Sequence, residues 1–126
     1  MSFHGPNLDI TKLKADRVVI NDHLELVGDT NSTDAGAIDV DTPITYITQT
    51  GSAETRTLGV GHYEGQVKVL ICTVYAADTV VTAALEGSHN TITFNAQGDS
   101  WMGIWHAGEW WTLMLGFSSG TGPAIG

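Results

Sequence analysis

Hydrophobic residues occur along this chain in short runs that alternate with glycine-rich and polar turns, a pattern typical of β-strands. The longest run, residues 66–75, is apolar on both faces: Val69 and Ile71 lie on one face, and Leu70 and Cys72 lie on the other. Such a strand is predicted to be central in its sheet or covered on both sides. Shorter candidate strands cover residues 44–48, 57–60, 79–82, 91–94, 100–106 and 109–115.

These candidates begin at a spacing of roughly 10 residues, which is typical of all-β sandwiches and barrels. Ala107-Gly108 separates the last two candidates and predicts a hairpin with a two-residue turn, because glycine readily adopts the positive φ that such turns need. No helix-length pattern with caps is present. We therefore predict an all-β fold, a compact antiparallel sandwich or barrel over residues 43–116, followed by a Gly/Ser-rich tail over residues 117–126.

The first 42 residues differ from the rest of the chain. Residues 28–42 are dominated by Gly, Asp, Asn, Ser and Thr, which predicts a loop or linker. Residues 17–20 and 23–27 are short apolar patches that fit either short strands or an arm that orders on a partner. We predict an extended polar N-terminal arm and linker over residues 1–42.

Composition excludes several function classes. Fourteen acidic residues and five Lys or Arg residues give a formal net charge of −9, and no Lys or Arg follows Lys68. Because nucleic-acid binding needs clustered cations, we expect no direct contact with nucleic acid. We expect no membrane span and no signal peptide, since neither a long apolar run nor a basic region followed by an apolar region is present. The single cysteine, Cys72, is expected to be a buried, inert thiol.

The candidate catalytic and metal-binding residues do not form a pattern that supports chemistry. The five histidines lack metal-ligand spacing and are expected at solvated turns. Asp99, Ser100 and His106 are the residue types of a catalytic triad, but they fall within eight residues of one another, on or next to one predicted strand. The glycines of residues 59–65 lack the Lys-Ser/Thr pair of a phosphate loop, so a turn is predicted.

Four aspartates of the predicted linker are oxygen ligands of the kind that calcium prefers. They are Asp29, Asp34, Asp39 and Asp41. Because their spacing does not match a calcium-binding loop, a solvated acidic linker is the preferred interpretation. We therefore expect no enzymatic activity, no metal and no cofactor.

Four tryptophans lie close together on the two strands of the predicted hairpin: Trp101, Trp105, Trp110 and Trp111. Strand alternation places Trp101 and Trp105 on one face, whereas Trp110 and Trp111 must face opposite sides. Three interpretations remain open: a core combined with a subunit interface, an exposed platform that stacks on sugar, and packing in one thick core. The first is favoured because aromatic residues are enriched in interface cores.

Other residues have predicted structural roles. Val69, Ile71 and Phe94 are predicted core residues, and Gly65 and Gly108 are predicted turn residues. A monomer with this supply of apolar side chains would expose a large apolar patch, which soluble monomers rarely do. We therefore expect an oligomer whose interface uses part of the tryptophan cluster and the strand over residues 66–75.

An ordered set of motifs runs through residues 55–111. It comprises Thr-Leu-Gly-Val-Gly at residues 57–61, Tyr-Glu-Gly-Gln-Val-Lys at 63–68, Thr-Ile-Thr-Phe at 91–94, Gly-Asp-Ser at 98–100, and a strand pair containing tryptophan around Gly108. This order resembles a small β-rich module of tailed-phage virion proteins, among them capsid decoration (cement) proteins and fibre or head-fibre components. The shared motifs are structural, and none is catalytic.

The resemblance implies a structural virion protein. The first expectation is a capsid decoration protein, a homotrimer that binds the major capsid protein on the outer capsid surface and stabilises the shell. The alternative is a fibre or receptor-binding module that recognises a glycan through its tryptophans.

Overall fold

The computed structural model describes residues 12–34, 36–118 and 120–126, and within them the regular structure is almost entirely β. The strands are β1 (Gly28–Asn31), β2 (Ala37–Ile38), β3 (Ile44–Thr48), β4 (Glu54–Leu58), β5 (Val67–Val74), β6 (Thr79–Thr82), β7 (Thr91–Phe94), β8 (Ser100–His106), β9 (Glu109–Gly116) and β10 (Ala124–Ile125). One short 3-10 turn covers Glu86–Ser88, and no α-helix occurs in the described part of the chain. The all-β prediction is confirmed.

Two five-stranded sheets pack face to face as a sandwich, and neither closes into a barrel. Sheet 1 has the order β1-β3-β5-β8-β9, and sheet 2 has the order β10-β7-β6-β4-β2. The long strand β5 is central in sheet 1, as its two apolar faces predict.

Both sheets are mixed, which corrects the expectation of a purely antiparallel arrangement. From β1 to β6 the chain alternates between the sheets, so that successive strands within each sheet are parallel. Parallel neighbours need a crossover connection, and here the crossover of each sheet contains a strand of the other. From β1 to β6 the chain thus makes three turns of a coil, and each turn adds one strand to each sheet. The next strand, β7, pairs antiparallel with β6. The remaining pairs, β5–β8, β8–β9 and β7–β10, are antiparallel.

The core between the sheets is aliphatic and aromatic. Its members are Ile38, Ile47, Leu58, Leu70, Cys72, Val81, Ala83, Leu85, Ile92, Phe94, Trp101, Trp105 and Trp110. Phe94 is therefore fully buried. Val69 and Ile71 are only partly buried and face away from the core, which corrects their predicted placement. Both faces of β5 are apolar, so the pattern alone did not identify the inward face.

The prediction of a loop or linker over residues 28–42 is wrong at two strands, because β1 joins sheet 1 and β2 joins sheet 2. A buried cation holds β1 in place. Arg56, on β4 of sheet 2, donates to Asn31 Oδ1 (2.9 Å) and to the Thr48 carbonyl oxygen (2.7 Å), both in sheet 1. Its Nε also donates to a carboxylate oxygen of Glu54 (2.8 Å), which balances the buried charge. Arg56 thereby connects the two layers at the start of the fold.

A second buried cation fixes the rest of this segment. Lys68, on β5, donates from Nζ to the Asp39 carbonyl oxygen (2.6 Å), to Thr45 Oγ1 (2.7 Å) and to the Thr42 carbonyl oxygen. Burial lowers the pKa of Lys68, and the nearby acidic residues, Asp39 among them, oppose that shift. The hydrogen-bond acceptors of this ammonium group are neutral carbonyl and hydroxyl oxygens. These hydrogen bonds hold the polar residues 28–42 against β5 of the sandwich.

The two ends of the chain also depart in part from the predicted boundaries. Within the predicted C-terminal tail, Ala124–Ile125 forms β10 and pairs with β7. Residues 1–11 of the predicted arm lie outside the described residues. Residues 12–27 contain no strand, and each of them is exposed.

Candidate functional site

The tryptophan cluster is divided between the core and the surface. Trp101 and Trp110 are fully buried, Trp105 is nearly so, and Trp111 is 43% exposed. The Trp110 ring contacts Trp105 at 5.2 Å and Trp101 at 6.1 Å between centroids, both edge to face. Such contacts stabilise aromatic pairs beyond simple area burial. The interpretation as one thick core therefore applies to three indoles, and Trp111 remains on the surface.

The buried indoles have satisfied N–H groups. Trp101 Nε1 donates to Thr112 Oγ1, and Trp110 Nε1 donates to the Gly59 carbonyl oxygen, each at 2.9 Å. The glycine-rich stretch near residue 59 thus contacts the indoles of the core.

The same glycine-rich stretch borders a shallow groove of about 420 Å³ whose lining carries no charged side chain. Phosphate recognition needs cations or an N-terminal helix end, and neither is present in this lining.

The outward-facing residues of sheet 1 form a continuous apolar surface, here called the outer face. Its members are Ile44, Tyr46, Val67, Val69, Ile71, Met102, Ile104, Trp111 and Met114. Strand register brings them into rows across the sheet. One row runs Ile44–Val69–Met102–Met114, and another runs Val67–Ile104–Trp111. None of these side chains is charged.

The outward-facing residues of sheet 2 have a different chemistry. They are mainly threonines: Thr55, Thr57, Thr82, Thr91 and Thr93. Register places Thr57 beside Thr82, and their hydroxyl oxygens are 3.3 Å apart. Hydroxyl groups on a sheet surface hydrogen-bond readily to water, so this face needs no partner. The two sheets of one sandwich therefore offer solvent opposite kinds of surface.

Acidic side chains lie at the hairpin end of the outer face. Glu64 accepts hydrogen bonds from the Ala107 backbone N–H (2.7 Å) and pairs with His106 (2.9 Å). These two contacts lower the pKa of Glu64. Glu109 stands opposite His106 at the start of β9. Carboxylates thus border the outer face at its hairpin end, next to the row Val67–Ile104–Trp111.

The predicted triad residues do not meet. Ser100 and His106 are the first and last residues of β8, which puts them about 20 Å apart in an extended strand. Asp99 is buried, and its Oδ2 accepts hydrogen bonds from the backbone N–H groups of Asn95 and Ala96. It stabilises a turn instead of orienting a histidine.

The four linker aspartates do not converge either. Asp29 accepts a hydrogen bond from Thr45 Oγ1 (2.6 Å), and Asp39 accepts one from the Asp41 backbone N–H (2.9 Å). Asp41 itself contacts His62 Nδ1 at 2.6 Å. Within the described residues, no three His, Cys, Asp or Glu side chains form a group that could hold a metal ion.

Sequence reasoning identified part of the outer face and missed part of it. It singled out Trp111 and the apolar strand over residues 66–75, and both contribute to this surface. It missed Tyr46, Met102 and Met114, whose membership depends on which strands lie beside β5. The sequence feature that could have indicated this surface is the second apolar face of β5, because an apolar strand face is expected to be covered by another layer or subunit.

No family model matches this chain, and neither the curated proteins nor the solved structures include a match to it. Among the described residues, no helix has the length and hydropathy needed to cross a membrane.

Proposed function

We propose that this protein is a structural subunit without catalytic activity, which binds other protein subunits through the outer face of sheet 1. The observation that carries this proposal is the contrast between the two sheets. One presents aliphatic, thioether and aromatic side chains in register, and the other presents mainly threonines, with Val80 among them. Contiguous exposed apolar patches on soluble proteins usually mark interaction sites.

The assembly that we propose is the capsid of a tailed phage, where this protein acts as a decoration (cement) protein on the outer surface. The motif order in residues 55–111 supports this choice through its resemblance to virion modules. A subunit bound across the junctions of the major capsid protein adds buried apolar interface there. The shell then resists internal pressure better because more contacts must break before capsomers separate.

The alternative, a fibre module that stacks a glycan on its tryptophans, has less support from the side-chain positions. Trp101, Trp105 and Trp110 have no free ring face, so a sugar platform would depend on Trp111 alone. The N–H of Trp111 is already donated to the His106 carbonyl oxygen at 3.1 Å.

Co-sedimentation with capsids tests the proposal. Capsids assembled without this protein are mixed with the purified protein and pelleted. We expect saturable binding and a higher temperature of capsid disruption. Met114→Asp should weaken binding at least tenfold, whereas Val60→Asp should bind normally, since Val60 is equally exposed but lies away from the outer face.

Absence of the protein from the pellet would contradict a decoration role. Specific binding to a glycan array that Trp111→Ala abolishes would instead support the fibre alternative.

A further inference from the structure

The N-terminal segment (residues 12–27) is a second exposed apolar element in this chain. Its large hydrophobic residues are exposed by about half or more: Leu13, Val18, Val19, Ile20, Leu24, Leu26 and Val27. The segment joins sheet 1 directly, because the carbonyl oxygen of Val27 accepts a hydrogen bond from the Ile44 backbone N–H (3.3 Å). One chain therefore exposes both an extended apolar segment and an apolar sheet face.

The cations of the chain are distributed unequally between this segment and the body (residues 28–126). Three of the five Lys and Arg residues lie in the segment: Lys12, Lys14 and Arg17. The two cations of the body, Arg56 and Lys68, are buried, whereas the body contains ten of the fourteen acidic residues. The exposed surface of the body is thus acidic. The segment as a whole is neutral, because Asp16, Asp22 and Glu25 offset its three cations, but its first six residues, 12–17, contain all three cations and only one acid. These first residues therefore carry charge complementary to the body.

The dimensions of the two elements also agree. The members of the outer face lie on the four strands β3, β5, β8 and β9. At a spacing of about 4.8 Å, with roughly five residues each at about 3.3 Å, these strands give the outer face an area on the order of 300 Å². That is about two fifths of the ~800 Å² that each partner contributes to a stable interface. An extended segment of 16 residues spans about 50 Å, which is enough to cross the face and reach the acidic hairpin edge.

From these three observations we propose that the outer face of sheet 1 binds the N-terminal segment of a second copy of this chain. The apolar residues of the segment lie on the rows of the outer face, and its cations lie near Glu64 and Glu109. Each copy gives one segment and receives one, so each contact between a segment and an outer face is heterologous, and the predicted three copies form a closed ring. This inference rests on the proposed role of the outer face as a protein contact.

Three matched variants test the inference with purified full-length protein and no capsid. Val19→Asp alters the segment, Met114→Asp alters the outer face, and Val60→Asp is the control. The three side chains are almost equally exposed, at 62%, 64% and 62%. Light scattering coupled to size exclusion measures the mass of each.

We expect the wild type and Val60→Asp to have a multiple of the 13.4 kDa chain mass, with three copies as the predicted number. Val19→Asp and Met114→Asp should shift to the mass of one chain. A wild-type mass of one chain overturns the inference. Loss of association in Met114→Asp but not in Val19→Asp also overturns it, because the outer faces would then bind each other directly.

Disulfide trapping identifies which copy supplies the segment. Val19→Cys protein is mixed with Met114→Cys protein and oxidised, and the native Cys72 is too buried to interfere. We expect a covalent pair of chains, in clear excess over a mixture of Val60→Cys and Met114→Cys. A double variant that forms only an intrachain disulfide would show that the segment covers its own sheet, which contradicts the inference.

These results separate the inference from the proposed function. A chain that is monomeric yet binds capsids through Met114 would reject segment exchange and retain the decoration role. A chain that exchanges segments yet ignores capsids would reject the decoration role alone.

Discussion

Single residues in this protein show how closely the backbone approaches the buried indoles. A Cβ added at Gly103 would lie 2.2 Å from the Trp101 ring, and one added at Gly61 would lie 2.2 Å from the Trp105 ring. Both glycines are therefore required for close approach. They allow large aromatic side chains to fill a sandwich of modest size.

Gly103→Ala should destabilise the protein by about 1–3 kcal/mol, because the added methyl group overpacks a rigid indole. Gly51→Ala is the matched control: nothing lies closer than 3.8 Å to its Cβ position, so its effect should stay within about 0.5 kcal/mol. Urea unfolding of both variants measures the difference. Equal midpoints would show that the Trp101 ring can move aside.

The hairpin turn provides a second residue-level prediction. Ala107 and Gly108 both have positive φ, at 51° and 82°. Gly108→Val should cost on the order of 1 kcal/mol or more, because a β-branched residue is strained in this region. Ala107→Gly should have the opposite effect, since alanine is the strained residue at that position. Thermal melts of the pair test the turn, and an unchanged melting temperature in Gly108→Val would argue against it.

At the scale of elements, one side of β5 contributes to the core between the sheets, and the other side contributes to the outer face. Leu70 is fully buried between the sheets, whereas its neighbour Ile71 is partly buried on the outer face. The alternation comes from the strand geometry, and the choice of inward face comes from the second sheet.

Leu70→Ala should cost roughly 2–5 kcal/mol, as expected for a fully buried leucine. Ile71→Ala should cost clearly less, about 1 kcal/mol, when measured at low protein concentration, because its side chain is already partly in water. Denaturant unfolding of the two variants compares the faces directly. A larger cost at Ile71 than at Leu70 would reverse the assignment of the faces.

Arg56 connects elements that are distant in sequence, since it links β4 to β1 and β3. Arg56→Met should destabilise the protein by about 3 kcal/mol or more, because Glu54 loses its partner and buried acceptors are left without a donor. Thr55→Met changes the adjacent, outward-facing residue and should have an effect within about 0.5 kcal/mol. Chemical denaturation measures the free energy of unfolding of both variants. Equal values would mean that water hydrogen-bonds the acceptors that the Arg56 guanidinium contacts in the wild type.

At the scale of the whole molecule, three carboxylates link stability to acid pH. Burial opposes the shift at Glu54, but hydrogen bonds from Asp34 and Arg56 and the charge of Arg56 lower its pKa below the usual 4.5. Backbone and side-chain hydrogen bonds likewise lower the pKa of Asp39 below 3.8 and that of Glu64 below 4.5. A group with a lowered pKa in the folded state stabilises the protein above its unfolded pKa, and this stabilisation is lost on acidification.

The melting temperature should therefore change little from neutral pH to about pH 5 and fall as the pH drops below about 4.5. Glu54→Gln should melt at a lower temperature at neutral pH and show a smaller decrease in acid. Glu25→Gln is the control, because Glu25 lies in the exposed N-terminal segment. A melting temperature of the wild type that rises on acidification would contradict the assignment.

The amino-acid pattern by itself determined the local features of this protein. β-branched and aromatic runs predicted most strands of residues 44–116, and Ala107-Gly108 predicted the hairpin, because strand propensity and turn chemistry depend on neighbouring residues. The two apolar faces of residues 66–75 predicted that β5 is central. The paucity of cations predicts that the protein makes no direct contact with nucleic acid.

The tertiary structure decided which distant residues meet. Alternation with a period of two cannot tell which apolar face of β5 points inward, so Val69 and Ile71 were misplaced. Polar residues 28–42 resemble a linker until Arg56 and Lys68, far along the chain, supply donors for their acceptors. The parallel strand pairs among β1–β6 join residues that are far apart in the sequence, so a short stretch of sequence cannot show the order of these strands. For the same reason the outer face exists only after four separate strands come into register.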